Sequence, residues 1–235
     1  MHSERVIQPS ARARVRDELT REIKETARRQ LAADGSAGLS LRAVARELGM
    51  VSSAMYRYFP SRDDLLTALI ADAHDEVGSV VEAAEAAARR RSLLGRWLAV
   101  TGATRTWALA QPQQYALLFG SPVPGYQPTG ATIGPAARIP LLMIKLVSDA
   151  VAAGRGPVAD GRPIPRAVRA DLKSLRASVA PELTEHQLAH TVLAWTELVG
   201  SINFELFGHL KAVTSDYQSY FDYQMQGVGQ RLGLA

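Results

Sequence analysis

The chain has 235 residues, of which 47% are hydrophobic, so it is long and apolar enough to bury a sizeable core. It contains no cysteine, which excludes a disulfide framework and thiolate chemistry. Its start is charged and has no apolar run of the kind that a secretory signal needs, and no stretch approaches about 18 uninterrupted apolar residues. We therefore expect a soluble, cytoplasmic protein without a membrane-spanning helix.

The net charge of +4 is unevenly distributed along the chain. Residues 1–62 contain 12 Lys and Arg against 7 Asp and Glu, a net charge of +5, whereas residues 63–235 contain 15 against 16, a net charge of −1. The N-terminal end is thus suited to an anionic polymer. A solvated basic helix is the alternative, so charge alone does not decide.

The first predicted helix is amphipathic. Apolar residues recur every four positions from Val15 through Ile23 to Leu31. Gly35 is a good residue to end that helix, because glycine adopts the left-handed conformation that follows a helix C-terminus.

Three further helices follow closely. Ser40 is a suitable N-cap for a second helix that Gly49 ends. A short third helix over residues 52–59 stops before Pro60. Ser61 and Asp64 have the spacing of a capping box and begin a long Ala-rich helix that extends to about residue 90.

The remainder also has helical periodicity, with two interruptions rich in Pro and Gly. Helices are predicted over residues 92–110, 113–120, 137–153, 166–179, 184–209 and 214–231, with loops at 121–136 and 154–165. No strand alternation of useful length is present, which predicts an all-α fold. We place a domain boundary inside the long fourth helix, between residues 1–62 and 63–235.

Residues 40–59 have the pattern of two helices joined by a tight turn. Val44 and Leu48 lie one turn apart and face inward. Ala45 is small enough for a second helix to cross closely, and Gly49 supplies a left-handed turn. A short second helix suits a recognition helix, which needs only about two turns in a major groove. An ordinary surface helical hairpin is the alternative.

The side chains expected to face outward favour DNA. Hydroxyls and arginines reach phosphates or base edges, and tyrosines contact phosphates. The outward residues are Ser52, Ser53, Tyr56, Arg57 and Tyr58. Arg62 begins the next helix and adds attraction for a phosphate. The basic segment 1–14 and its neighbour Arg16 predict an arm along a minor groove or backbone, with a disordered tail as the alternative.

These residues carry a resemblance to a known family. The segment "GLSLRAVARELGMVSSAMYRYFPSRDDLLTALI", residues 38–70, resembles the DNA-binding domain of the TetR family of bacterial transcriptional regulators. The matching positions are Ser40, Arg42, Val44, Ala45, Gly49, Met50, Met55, Tyr56, Tyr58, Phe59, Ser61, Arg62, Leu65 and Leu66.

The resemblance implies an N-terminal three-helix DNA-binding domain with a helix-turn-helix, fused to a larger helical domain that binds a small effector and forms a homodimer. The DNA contacts that it implies fall on Ser40, Arg42, Ser52, Ser53, Tyr56, Arg57, Tyr58 and Arg62. The chain departs from the family pattern at Val51, where a Ser usually opens the recognition helix. This puts the N-cap and the role of Ser52 in doubt.

The C-terminal region has a second resemblance. The segment "VLAWTELVGSINFELFGHL", residues 192–210, resembles the Trp-His-Gly type of TetR C-terminal domain. Trp195 and Gly200 match, whereas Val199 replaces the His, so a role for that imidazole does not transfer.

Apolar walls with few polar groups predict a ligand pocket in this region. The candidates for its lining are Trp107, Tyr115, Phe119, Met143, Trp195 and Asn203. For each of them, plain core packing is the alternative. The 121–136 loop either gates the pocket or is a surface excursion.

The last two helices are the expected dimer surface, because the family's dimers form a four-helix bundle from them. Tyr217, Tyr220, Phe221 and Met225 give the final helix an aromatic, apolar face. If that helix covers its own core instead, the same residues are intramolecular.

Two other classes of function are alternatives to DNA binding. His186 and His190 have a spacing that could hold a metal, but Gln187 replaces the general base of a zinc protease, and we expect solvated surface. We expect no catalysis, no metal and no cofactor. A helical protein-interaction module is the other alternative. The favoured hypothesis is a regulator of transcription, a repressor released from an inverted-repeat operator by a small hydrophobic effector, with activation left open.

Overall fold

The computed structural model describes residues 10–157 and 161–235, apart from the side chains of residues 36 and 37. Helices and loops account for these ranges and no β-strand occurs in them, so the predicted all-α class is confirmed. The helices are α1 Ala11–Gly38, α2 Leu41–Glu47, α3 Ser52–Met55, α4 Arg62–Ala87, α5 Leu93–Ala110, α6 Pro112–Phe119, α7 Gly130–Ala152, α8 Arg166–Val179, α9 Glu185–Leu206 and α10 Tyr217–Arg231.

The described residues divide into two compact units, and α4 contributes to both. The first unit contains the described residues up to Ile70 together with Pro122–Pro128. Its core is built where the apolar stripe of α1 meets α2, α3 and α4: Ile23, Ala27, Val44, Met55, Leu65 and Leu66 are fully buried. The hydroxyl of Tyr126 lies 3.1 Å from that of Thr67 on α4, which ties the 122–128 segment to this unit.

The α1 stripe is buried only in part of the helix. Ile23 and Ala27 have no exposed surface, whereas Val15 is 55% exposed. The helix continues to Gly38, but Gly35 interrupts it with φ 69° and ψ −178°, at the residue where the sequence predicts its end.

The second unit contains Ala71–Ser121 and Thr129–Ala235. Trp97 of α5 is fully buried and donates its indole N–H to the carbonyl of Met225 on α10 at 2.7 Å. Arg105 of α5 forms a two-pronged ion pair with Glu205 of α9, with both N–O distances 2.7 Å. The same guanidinium donates to Gln218 of α10. These contacts join α5, α9 and α10 into one core.

The beginning of α7 corrects the sequence prediction. The helix starts at Gly130 rather than residue 137, so the loop before it is shorter than expected. Pro135 and Pro140 lie inside the helix, and Ile139 and Met143 are buried in the core. A stretch rich in Gly and Pro is typical of a loop, but residues 130–136 are helical here, with Thr132 buried and Ile133 69% exposed.

Among the described helices, α7 is the one long and apolar enough to cross a membrane, with a mean hydropathy of 1.3 over its most apolar window. Core helices of soluble proteins meet the same criterion. Leu146 and Val147 of α7 have no exposed surface, because they pack in the core of the second unit. Length and hydropathy of α7 are therefore weak evidence for a membrane span.

Candidate nucleic-acid interface and C-terminal aromatic cluster

The turn between α2 and α3 has the geometry of a helix-turn-helix. Gly49 has φ 65°, and the next residue, Met50, donates its backbone N–H to the carbonyl of Ala45 at 2.8 Å. Ala45 and Met55 are fully buried, so the two helices cross through small and flexible apolar side chains. The predicted left-handed turn is present at Gly49.

Helix α3 is shorter than predicted. It covers Ser52–Met55 and is followed by a turn over residues 56–58, whereas the sequence predicted a helix to residue 59. The turn is held by hydrogen bonds from the N–H of Arg57 to the carbonyl of Ala54 at 3.1 Å and from the N–H of Tyr58 to that of Met55 at 2.9 Å. Phe59 precedes a proline, which disfavours helical backbone, and its side chain is buried.

The N-cap position of α3 is occupied by Val51, and no side chain caps the helix. Val51 is 69% exposed. The side-chain cap is therefore missing, and Ser52 is the first helical residue, whose contact to DNA stays a prediction.

The predicted DNA-contacting residues all lie in the first unit and differ in exposure. The exposed ones are Arg42, Ser52, Ser53, Tyr56 and Arg57, and the half-buried ones are Ser40, Tyr58 and Arg62. Ser40 occupies the N-cap position of α2 without a side-chain cap bond.

Arg62 also has a structural role. Its Nε donates to the carbonyl of Leu39 at 3.2 Å, and Nη1 lies 3.5 Å from the carboxylate of Asp63. The Oγ of Ser61 accepts the backbone N–H of Asp64 at 3.1 Å and donates to its carboxylate at 2.7 Å, which caps α4. A phosphate would therefore share the Arg62 guanidinium with contacts inside the unit.

The basic N-terminal segment is helical where it is described. Ser10 caps α1 by accepting the N–H of Ala13, so Arg12 and Arg14 lie on the first turns of a helix rather than on an extended arm. The rest of the predicted arm, residues 1–9, lies outside the described residues. Arg16 reaches Arg57 and Tyr58, a contact across 41 positions that no local pattern could indicate.

Three predicted pocket residues come together in the second unit. The ring of Phe119 lies 5.1 Å from that of Tyr115, 5.7 Å from that of Trp195 and 5.9 Å from that of His74. Tyr115 is fully buried, which raises the pKa of its phenol, and its hydroxyl donates to the carbonyl of Val199 at 3.1 Å. Sequence reasoning missed His74.

The other predicted pocket residues have separate surroundings. Trp107 donates its indole N–H to the carboxylate of Glu76 at 3.0 Å. Met143 is buried among core residues. Asn203 has a buried side-chain oxygen without a hydrogen-bond partner among the described residues. Within the described ranges, no cluster of three or more His, Cys, Asp and Glu side chains could hold a metal.

The last two helices form an open groove of about 710 Å³. Phe204 of α9 and Tyr223 of α10 line it and are 54% and 76% exposed. Phe221 and Met225, predicted for a dimer surface, are only 3% and 1% exposed because they pack against α5. The final helix thus covers its own core with one face and presents another aromatic face to solvent.

Comparisons with known proteins identify both the N-terminal and the C-terminal part of the chain. Residues 23–69 match the family described as "Bacterial regulatory proteins, tetR family", and residues 97–228 match "Tetracyclin repressor-like, C-terminal domain". The HTH-type transcriptional regulators Rv1816 of Mycobacterium tuberculosis and Mb1846 of Mycobacterium bovis are each 37% identical over 215 residues, which cover 89% of this chain and 90% of each relative.

Solved structures have the same architecture. The crystal structure of the regulatory protein SCO4313 has a TM-score of 0.77 and 30% identity, covering 94% of this chain and 98% of that one. A protein from Rhodococcus sp. RHA1 has the same fold, with a TM-score of 0.70 at 21% identity, covering 98% of this chain and 100% of that one. The chain belongs to the TetR family of DNA-binding bacterial transcriptional regulators, whose members bind small-molecule ligands and dimerise.

Proposed function

We propose that this regulator is a cytoplasmic homodimeric repressor that leaves an inverted-repeat operator when a small hydrophobic effector binds. The observation that carries the proposal is the exposed set of polar side chains on α2, α3 and the turn after them, in a chain that also has an aromatic cluster in its second unit.

The DNA-reading part of the proposal rests on the first unit. Ser52, Ser53, Tyr56 and Arg57 are exposed, which suits contacts to phosphates and base edges in a major groove. Residues 1–62 would form the DNA-binding domain and residues 63–235 the domain for effector binding and dimerisation.

The effector part rests on the Phe119 cluster. Aromatic rings from α6 and α9 offer apolar contact area, and the imidazole of His74 beside Phe119 is a polar group that could orient a ligand. Asn203, whose buried oxygen has no hydrogen-bond partner among the described residues, is a second polar candidate outside that cluster. Trp195 and Gly200 support the assignment to the Trp-His-Gly type, which we retain as a proposal.

The proposed mechanism follows from thermodynamic linkage between effector binding and operator binding. In a dimer built on α9 and α10, two recognition helices about one DNA turn apart would fit successive major grooves. An effector that binds more tightly to a state with another spacing shifts the population toward that state and lowers operator affinity.

The experiment is a binding titration of the purified protein against its own upstream intergenic DNA at several salt concentrations. Arg57→Ala and Tyr56→Ala are compared with Arg169→Ala, an exposed arginine of α8. We expect steeply salt-dependent binding that the first two substitutions weaken by about 1–3 kcal/mol and that Arg169→Ala leaves unchanged. A DNA affinity that does not change with salt concentration or with any of the three substitutions would favour the protein-interaction module.

A further inference from the structure

The side chain of Arg16 joins α1 to the turn that follows the recognition helix. Its Nη2 donates to the backbone carbonyl of Arg57 at 3.2 Å, and its Cζ lies 5.4 Å from the centroid of the Tyr58 ring. A single guanidinium therefore makes a hydrogen bond and a cation–π contact to two consecutive residues.

The turn contacted by Arg16 carries side chains that the proposed function places on DNA. Tyr56 and Arg57 are exposed, and their backbone follows a helix of only four residues. So short a helix has little intrinsic stability, and its position depends on tertiary contacts. Met55 and Phe59 anchor the segment from inside, and Arg16 holds it from the solvent side.

We infer that Arg16 is a positioning residue for operator recognition. By fixing the backbone of Arg57 and the ring of Tyr58, it presents the neighbouring side chains to DNA in one orientation, which favours base-specific over non-specific binding. The inference rests on the proposed DNA contacts of the 56–58 turn. It differs from the sequence prediction, in which Arg16 belonged to an arm that touches DNA itself.

Replacement by lysine separates the two roles. Lysine retains the positive charge and can reach a phosphate, but it lacks the planar fork that makes both contacts at once. A positioning role predicts that Arg16→Lys impairs recognition, whereas a direct phosphate contact predicts that Arg16→Lys is tolerated and that Arg16→Gln reduces the salt slope by about one.

The first measurement is the affinity of wild type, Arg16→Lys, Arg16→Gln and the matched control Arg21→Lys, at an exposed arginine of α1, for operator and for scrambled duplex at several salt concentrations. Both Arg16 substitutions should weaken operator binding about 3- to 10-fold, consistent with the loss of one hydrogen bond and one cation–π contact. Arg16→Lys should retain the salt slope and the affinity for scrambled DNA, and Arg21→Lys should match the wild type. Wild-type behaviour of Arg16→Lys would overturn the inference.

The second measurement needs no DNA, so its failure is distinguishable from failure of the proposed function. Hydrogen exchange of the amides of residues 57–59, which donate to Ala54 and Met55, should accelerate in Arg16→Lys and not in Arg21→Lys. The midpoint of thermal unfolding should stay close to that of the wild type, which shows that the variant folds. Unchanged exchange at these amides would mean that Arg16 does not hold the turn.

Discussion

The guanidinium of Arg138 on α7 lies directly against Gly78 of α4. A Cβ added at Gly78 would be 2.7 Å from Nε of Arg138. Nε and Nη2 donate to the two carboxylate oxygens of Glu82 at 2.9 and 2.7 Å, and Nη1 donates to the carbonyl of Asp75 at 2.8 Å. Hydrogen bonds from Arg138 hold the pKa of Glu82 below its ordinary value. The missing side chain at position 78 is what lets the guanidinium reach both partners.

Gly78→Ala should stabilise the protein less in the wild type than in an Arg138→Ala background. In the wild type, the new methyl group displaces Arg138 from its partners, which offsets the gain in helix propensity. In an Arg138→Ala background the same substitution should stabilise the protein by about 0.5–1 kcal/mol, the usual preference for Ala over Gly inside a helix. Urea unfolding of the four proteins tests this. Equal effects in both backgrounds would show that the two residues are not coupled.

Gly49→Ala should destabilise the first unit by about 1–2 kcal/mol, because an alanine at φ 65° meets the left-handed steric penalty. It should also weaken operator binding, since the turn positions α3. The control is Gly102→Ala inside α5, where a Cβ meets no atom within 4 Å and should be neutral or stabilising. Thermal unfolding followed by circular dichroism would show whether only the first substitution lowers the midpoint.

Removing one partner of the Arg105–Glu205 ion pair should destabilise the protein strongly, whereas replacing both residues by apolar ones should destabilise it much less. The two side chains are only 9% and 8% exposed, so Glu205→Leu leaves a buried guanidinium without its carboxylate, at a cost of about 3–5 kcal/mol. Arg105→Met combined with Glu205→Leu should recover most of that loss. The more exposed pair of Arg176 and Glu185 is the control, and Glu185→Gln should cost less than about 1 kcal/mol. Urea unfolding checks this, and a double variant no more stable than Glu205→Leu alone would contradict it.

Tyr223→Glu should weaken the homodimer that we propose. The side chain is 76% exposed and lines the α9–α10 groove beside Phe204, and central aromatic residues of an interface contribute about 2 kcal/mol or more. Sedimentation equilibrium should show at least about a tenfold higher dissociation constant. Val168→Glu introduces the same charge at a 47% exposed apolar residue of α8 and should leave the dimer intact. Equal dissociation of both variants and wild type would place the interface elsewhere.

His74 should make stability depend on pH near neutrality. Burial against Phe119 lowers the pKa of His74 below its ordinary 6.5, although the charge of Asp75 acts in the opposite direction. The folded state then binds fewer protons than the unfolded state. The contribution of neutral His74 to the free energy of unfolding is therefore complete above about pH 6.5 and is lost as the pH falls through the folded pKa. His74→Gln should flatten the fall of the unfolding free energy between about pH 7 and pH 5, whereas His209→Gln, at an exposed residue, should not. Parallel curves of unfolding free energy against pH for wild type and His74→Gln would refute this prediction.

Local patterns in the sequence were sufficient to predict the helix-turn-helix of the first unit. The apolar period around Val44, the glycine at position 49 and the Ser61 cap each act within one or two helical turns, so the helix-turn-helix and its approximate limits were predicted. The same reasoning predicted a helix over residues 166–179, where the structure has α8 Arg166–Val179. The all-α class followed from the same local patterns, and the family was indicated by the resemblance of residues 38–70 to its DNA-binding domain.

Tertiary contacts decided the rest, because they join residues that no local periodicity relates. Helix α7 begins at Gly130, within a Gly- and Pro-rich segment predicted as loop, and continues into the predicted helix, where Ile139 and Met143 are buried. Packing of Phe221 against the α5 core turned part of the predicted dimer face inward. Arg16 reached the recognition turn across 41 positions, since its long planar side chain finds a carbonyl and an aromatic ring that only the folded chain brings together.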